Sequence, residues 1–437
     1  MEKLIIEGGA RLHGQIPVSG SKNTALTLMS AALLADGPLK LSNIPALRDI
    51  STFSQVIGFT GTEIRYDPIT HQLEMDPTSL TRFEAPYELV KKMRASFYML
   101  GALLGKGGTA RVSLPGGCAW GPRPVDLHLR GLEALGAEIK FEHGNVVAHA
   151  PGGRLRGGIF RFEPSSVGAT VNLLLAAVTA KGYSRLENAA CEPDVVVFCE
   201  LLTAMGAHIG GIGTHTLEVE GVPVLRAADF VNCPDRIELG TFMLTAAMAG
   251  TPGGAIRMTG AEPKHLGDAF LTAFTQTGTP FSWGSDFVEV VTPENIQPVN
   301  VETGIYPGFP TDLQAQWTVM MTQADGNSKL RDTVYTDRFK HIPELMRMGA
   351  NAIVVGSEVV IQGSTALQGT QVMSTDLRAS VSLVMGALVA EGETHVHRIY
   401  HLDRGYEDIE GKLTRAGAVI RRETYDEWAG PNEGNEG

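Results

Sequence analysis

A chain of 437 residues, 43% hydrophobic and 19% charged, has the make-up of a globular protein with a large core. Its length suggests roughly two to three domains. The formal charge of −12 argues against nucleic acid or an acidic membrane as a general partner, because the overall field repels anions.

The N-terminal stretch MEKLIIEGGARL lacks the charged-then-apolar pattern of a secretion signal. Four cysteines, at 118, 191, 199 and 233, show neither CxxC nor paired Cys/His spacing, which speaks against a zinc site. Thiols this sparse read as reduced, and the expected compartment is the cytoplasm. The longest apolar runs, such as VNLLLAAVTA (171–180), are too short to span a bilayer. They read as buried helices, and no membrane partner is expected.

Along the chain one pattern recurs: a helix start, an Ala/Leu/Met-rich run, a glycine, then a β-branched strand. It appears at 21–44, 93–114, 166–189, 236–260, 311–334 and 375–399. A Gly-Ala or Gly-Thr turn before a short strand follows each copy. The glycines of these turns are Gly61, Gly136, Gly206, Gly278, Gly349 and Gly417, spaced by 75, 70, 72, 71 and 68 residues. Six copies at this period predict six small modules mixing helix and strand, an α/β (α+β) chain. The first helix of each copy is apolar nearly all round and should be buried. The second, as in VDLHLRGLEALGA and LDRGYEDIEGKLTRAGA, is amphipathic. Six modules exceed one core, so three plus three is the simplest division. It gives a first domain over 22–235, a second over 236–420, and a polar tail over 421–437 that should fray.

Chemistry-bearing residues cluster at the starts of the first helices: Lys22 and Asn23, Arg94, Ser166 to Gly168, Asp312, then Asp376 and Arg378. Helix N-termini bind anions, and a cation there works against the dipole. That suggests an anionic ligand as compensation. Arg123, Arg338 and Arg404 add guanidinium groups suited to phosphate or carboxylate. Several cations in an acidic chain argue for a small ligand with more than one anionic group. Asp312, in FPTDLQAQ, could instead cap its helix. The stretch LPGGCAWGPRPVDLH (114–128) sets Cys118 on a glycine-rich loop five residues before Arg123, and a nearby cation favours the thiolate. Cys191, Cys199 and Cys233 lie in or beside apolar stretches and read as structural. His341, His397 and His401 are weaker candidates.

The motifs GSKN (20–23), LVKKMRAS (89–96), the Cys118 loop, SVGAT (166–170), PDRIELGTF (234–242), FPTDLQAQ (309–316), DLRAS (376–380) and YHLDRGYE (400–407) together resemble the bacterial UDP-N-acetylglucosamine 1-carboxyvinyltransferase family. The resemblance spans nearly the whole chain. It implies an inside-out α/β barrel of the enolpyruvyl transferase type, with two domains of three βαβαββ units each closing over the substrates. It also places residues 1–21 with the C-terminal domain. The implied reaction moves the enolpyruvyl group of phosphoenolpyruvate to the 3′-hydroxyl of UDP-N-acetylglucosamine and needs no cofactor or metal.

By the same resemblance Cys118 is the proton donor, which fosfomycin should label. Asp312 is the base candidate, and Lys22, Arg123 and Arg404 clamp phosphate and carboxylate with Arg338 and Arg378 nearby. Asn23, Arg94, Arg123, Pro124, Val125, Asp126, Leu127, Ser166, Val167, Gly168, Asp312 and Val334 match positions holding the nucleotide sugar. The chain departs from some members at Pro164 and Ser165, where they carry Lys, and at Cys191, where they carry Arg. Trp120 is bulky for a loop that must move. These departures keep open a related enolpyruvyl transferase acting on another uridine nucleotide or nucleotide sugar. A sensor that binds without catalysis is the third reading, and the joint presence of Lys22, Cys118, Asp312 and Arg404 speaks against it. Oligomeric state is left open.

Overall fold

The computed structural model describes residues 1–114 and 125–425. Its contacts divide the chain into two compact units. The first is Val18–Arg236 with Ile305–Pro307; the second is Met1–Pro17, Ile237–Gly304 and the chain from Gly308 onward.

Six helices form the buried framework. In the first unit they are α1 (Lys22–Ala32), α2 (Met99–Gly107) and α3 (Val167–Ala177). In the second they are α4 (Arg236–Ala249), α5 (Gln314–Thr322) and α6 (Leu377–Val389), Arg236 itself belonging to the first unit. Leu28, Leu103, Leu174, Leu244, Trp317 and Leu383 are all fully or almost fully buried. Each apolar side chain so removed from water contributes about 1.5–3 kcal/mol. This is why these helices are apolar nearly all round. In the second unit Trp317 packs edge-on against Phe309, with ring centroids 5.1 Å apart.

Among the described residues, six four-stranded sheets accompany the six helices. In each, a short edge strand pairs in parallel with the strand that follows the buried helix. An antiparallel pair completes the sheet: a hairpin in the first five repeats, and in the sixth two strands from opposite ends of the chain. The order within a repeat is β-α-β-α-β-β. The six turn glycines all have positive φ, from 77° at Gly278 to 104° at Gly417. A side chain there would be strained, so glycine recurs where the second helix of each repeat turns into its strand.

Three strands come from distant parts of the chain. Phe230–Val231 pairs with Leu39–Ser42 and supplies the edge of the first repeat. Gly14–Pro17 does the same for the fourth repeat, against Ala255–Thr259. The N-terminal strand Glu2–Glu7 lies between Glu393–His397 and Val419–Thr424 and completes the sixth. This last pairing corrects the expected fraying from residue 421. Arg421 to Thr424 are strand, held residue by residue against Glu2 to Ile5. Among the described residues no helix is long and apolar enough to cross a membrane.

Candidate active site

In the first unit, Ser21 caps α1 by accepting a hydrogen bond from Thr24 N at 3.2 Å. Carboxylates surround this helix start. Lys22 Nζ lies 3.5 Å from Asp49 Oδ2, and Lys22 N donates to Asp235 Oδ2 at 3.2 Å. Asp194 Oδ1 accepts from Thr24 Oγ1 at 2.7 Å and from Ser21 Oγ at 3.2 Å. Its Oδ2 accepts from Arg236 Nε at 3.4 Å. The like charge that Lys22 brings against the helix dipole is thus answered inside the protein. Carboxylates of the protein supply compensation that the sequence suggested an anionic ligand would give. Asn23 follows on the same turn.

Ser166 caps α3, accepting from Ala169 N at 3.3 Å. Val167 and Gly168 make its first turn. A Cβ on Gly168 would come 3.3 Å from the His128 ring, so the helix start and the imidazole approach closely. Asn172 joins the elements here. Its Nδ2 donates to Phe97 O (3.0 Å) and to His128 Nδ1 (2.9 Å), and its Oδ1 accepts from Gly101 N at 2.6 Å. Burial, then the charge of Arg94, pushes the His128 imidazole down to about 3. It is therefore neutral, as the lone pair accepting from Asn172 requires. Arg94 is exposed and opens a 3₁₀ turn, Arg94–Tyr98, rather than an α-helix. Val125 precedes the helix Asp126–Ala134, whose Asp126 is exposed and whose Leu127 is half-buried. Cys118, Trp120, Arg123 and Pro124 lie outside the described residues.

In the second unit, Asp312 sits in a 3₁₀ turn, Thr311–Leu313, ahead of α5. It does not cap that helix. Its carboxylate is gripped from two sides: Arg338 Nη1 reaches Oδ1 at 2.8 Å and Arg378 Nη2 reaches Oδ2 at 3.0 Å. Burial raises the pKa of this carboxyl, but Arg378 and Arg338 together outweigh it and hold the group well below the usual carboxylate range. Thr311 is fixed by Asp332, which accepts its hydroxyl at 2.7 Å. Asp332 also accepts from Thr303 Oγ1 (2.7 Å), Val334 N (2.9 Å) and Tyr335 N (2.8 Å). One buried carboxylate therefore shapes both the Asp312 turn and the Val334 loop. Asp376 caps α6 by accepting from Arg378 N and Ala379 N. Arg404 ends the 3₁₀ turn Ile399–Arg404 and is half-buried. Burial lowers the nearby His401 imidazole, Asp376 opposes this, and Arg404 and Arg398 add to the lowering.

The remaining cysteines are not activated. Burial pushes Cys199 and Cys233 up to about 12, the reverse of a reactive thiolate. Cys191 is also raised by burial, and its Sγ lies 3.7 Å from His215 Nδ1. His341 is pushed down to about 3 by burial and by Arg338.

The profile of the EPSP synthase (3-phosphoshikimate 1-carboxyvinyltransferase) family matches residues 6–413. The chain belongs to this family. Among curated relatives, UDP-N-acetylglucosamine 1-carboxyvinyltransferase of Chlorobaculum parvum is 50% identical over 430 residues, 98% of this chain and 100% of that one. The protein of the same name from Chloroherpeton thalassium is 50% identical over 432 residues, 99% of each chain. Among solved structures, the enolpyruvyl transferase NikO of Streptomyces tendae aligns with a TM-score of 0.88 at 26% identity, over 97% of this chain and 99% of that one. EPSP synthase of Acinetobacter baumannii aligns with a TM-score of 0.74 at 17% identity, over 97% of this chain and 100% of that one. The fold is thus the enolpyruvyl transferase α/β architecture, with six βαβαββ repeats.

Against this family background the structure adds residues that sequence reasoning passed over. Asp49, Asp194, Asp235 and Asp332 are acids holding the helix starts and loops. Gln316 and Tyr406 form a polar cluster inside the second unit. One signal was available: Gln314 and Gln316 are polar side chains at the start of a fully buried helix, and buried polar groups need partners.

Proposed function

We propose that this protein transfers the enolpyruvyl group of phosphoenolpyruvate to the 3′-hydroxyl of UDP-N-acetylglucosamine, releasing phosphate. The observation that carries this reading is 50% identity, end to end, with relatives bearing that activity in their name. The reaction would be the first committed step of peptidoglycan synthesis, and its setting the cytoplasm.

The chemistry is an addition followed by an elimination. In the first step the sugar oxygen bonds to C2 of phosphoenolpyruvate as its proton leaves to a base, and C3 takes a proton from an acid. In the second, C3 gives up a proton and the C2–O bond to phosphate breaks. In this reading Cys118 is the acid at C3 and Asp312 the base at the hydroxyl. Lys22, Arg123 and Arg404 hold the phosphate and carboxylate, joined by Arg338 and Arg378. Asn23, Arg94, Arg123 to Leu127, Ser166 to Gly168, Asp312 and Val334 hold the nucleotide sugar. Cations placed beforehand around developing charge are the main source of rate in such a site.

The grip on Asp312 has a mechanistic consequence. A carboxylate paired with two guanidinium groups is permanently ionised but weakly basic. Anionic substrate groups compete for Arg338 and Arg378. Each donor drawn away raises the basicity of Asp312, so the base strengthens as substrate arrives.

Phosphate release from phosphoenolpyruvate with UDP-N-acetylglucosamine tests the reading. Turnover with that acceptor supports it, whereas turnover only with another uridine nucleotide supports the related transferase instead. Fosfomycin labelling, read by intact mass, tests Cys118. The adduct should form on the native protein and vanish in Cys118→Asp, and an adduct surviving that change contradicts the assignment.

A further inference from the structure

Tyr406 lies two residues beyond Arg404 and is 2% exposed. Its ring packs in the interior of the second unit, and phenylalanine would fill that space equally well. A phenol there must find partners or bear the cost of an unpaired buried hydroxyl. Three of its partners come from core helices. Thr241 Oγ1 of α4 lies 2.8 Å away, Gln316 Nε2 of α5 3.1 Å, and Arg378 Nη1 of α6 3.4 Å.

The direction of these bonds can be assigned. Thr241 Oγ1 already donates its proton to Ile237 O at 2.8 Å. The proton between Thr241 and Tyr406 is therefore the tyrosine's, which leaves the phenolic oxygen to accept from Arg378 and to share one Gln316 Nε2 proton with Thr241 Oγ1, which is also 3.1 Å from that nitrogen. Both donors also hold Asp312. Arg378 Nη2 binds its carboxylate at 3.0 Å, and Gln316 Nε2 donates to its backbone oxygen at 3.0 Å. A planar guanidinium anchored at one nitrogen can still swing; anchored at both, its plane is fixed. Tyr406 supplies an anchor for the other nitrogen of Arg378.

We propose that Tyr406 is a positioning residue for enolpyruvyl transfer, its hydroxyl fixing Arg378 and Gln316 so that Asp312 is aimed from both side chain and backbone. This rests on the transferase reading above. Tyr406 acts through Arg378 and need not touch the substrates.

Steady-state kinetics with phosphoenolpyruvate and UDP-N-acetylglucosamine test it in the full chain, for wild type, Tyr406→Phe, Arg378→Lys and the double variant. Tyr406→Phe should lower kcat by about 10- to 100-fold, the scale of a small misalignment, with both KM values changing far less. In the double variant the second change should cost little more, because both remove one linkage. Thr241→Val keeps the tyrosine but removes the acceptor that orients its hydroxyl, and should lower kcat several-fold in the same pattern. Unchanged kcat in both Tyr406→Phe and Thr241→Val overturns the proposal, as does a fully multiplicative loss in the double variant. If Tyr406→Phe fails to fold, the Thr241→Val result decides alone. Absence of turnover in wild type would sink the transferase reading, and the proposal with it. Wild-type turnover beside unaffected variants would sink the proposal only.

Discussion

Arg378 Nη2 meets Asp312 Oδ2 at 3.0 Å, across 66 residues of sequence. The pair joins the start of α6 to the turn before α5, and Arg338 closes it from the other side. The carboxylate is thereby held ionised and oriented before any substrate arrives. Asp312→Asn keeps the shape and removes the charge. It should lower kcat by about 10²- to 10⁴-fold, the usual weight of a general base, with a smaller change in KM for phosphoenolpyruvate. Arg378→Lys, which exchanges a planar fork for a point charge, should also lower kcat. Steady-state kinetics check both, and a kcat close to wild type in Asp312→Asn would remove it from the chemistry.

Asp332 offers a test that separates shaping from chemistry. Its carboxylate accepts four hydrogen bonds, from Thr303, Thr311, Val334 and Tyr335. Asn in its place can no longer accept on both atoms. Asp332→Asn should cost about 1–3 kcal/mol in urea unfolding and raise KM for the nucleotide sugar as the Val334 loop loosens. Unchanged stability and KM together would contradict this role.

These two acids also mark how far the sequence could be read. The six turn glycines and six apolar helices follow from local rules, because a positive φ and an all-round apolar face leave direct traces in composition. The strand Phe230–Val231 is two residues long and leaves none. The place of Glu2–Glu7 in the sixth sheet depends on partners at the other end of the chain. Local residue types had already marked Lys22, Asp312 and Arg378 as unusual. Their partners, Asp49 for Lys22 and Arg338 and Arg378 for Asp312, are set by tertiary packing and have no fixed spacing. The same is true of Tyr406, whose hydroxyl has meaning only where three helices meet.

Lys412 and Glu238 form a buried ion pair at 2.7 Å, separated by 174 residues, with side chains only 6% and 2% exposed. Breaking such a pair strands a charge in the interior, at about 3–5 kcal/mol. Lys412→Met should therefore be strongly destabilised in urea unfolding. Adding Glu238→Gln should recover most of the loss, because the stranded charge is then gone. An unaffected single variant, or a double variant no better than the single, would contradict the pairing.

Two buried histidines set an acid limit on stability. His128 and His341 both titrate near 3 in the folded chain, against an ordinary value of 6.5. Between those values the unfolded chain binds protons that the fold refuses. Stability should thus fall as pH drops from 6.5 toward 3, by about 1.4 kcal/mol per pH unit for each histidine. His128→Gln keeps an acceptor for Asn172 but does not titrate in this range. Its urea midpoint should depend less on pH between 7 and 5 than that of wild type. Parallel curves would show that His128 is not buried neutral.

The most direct test of the account is the product itself. Purified protein incubated with phosphoenolpyruvate and UDP-N-acetylglucosamine should release phosphate in step with a nucleotide sugar carrying an enolpyruvyl ether on its 3′-oxygen, identified by mass and NMR. No such product under conditions where the chain is folded, or an enolpyruvyl group on a different acceptor alone, would contradict it.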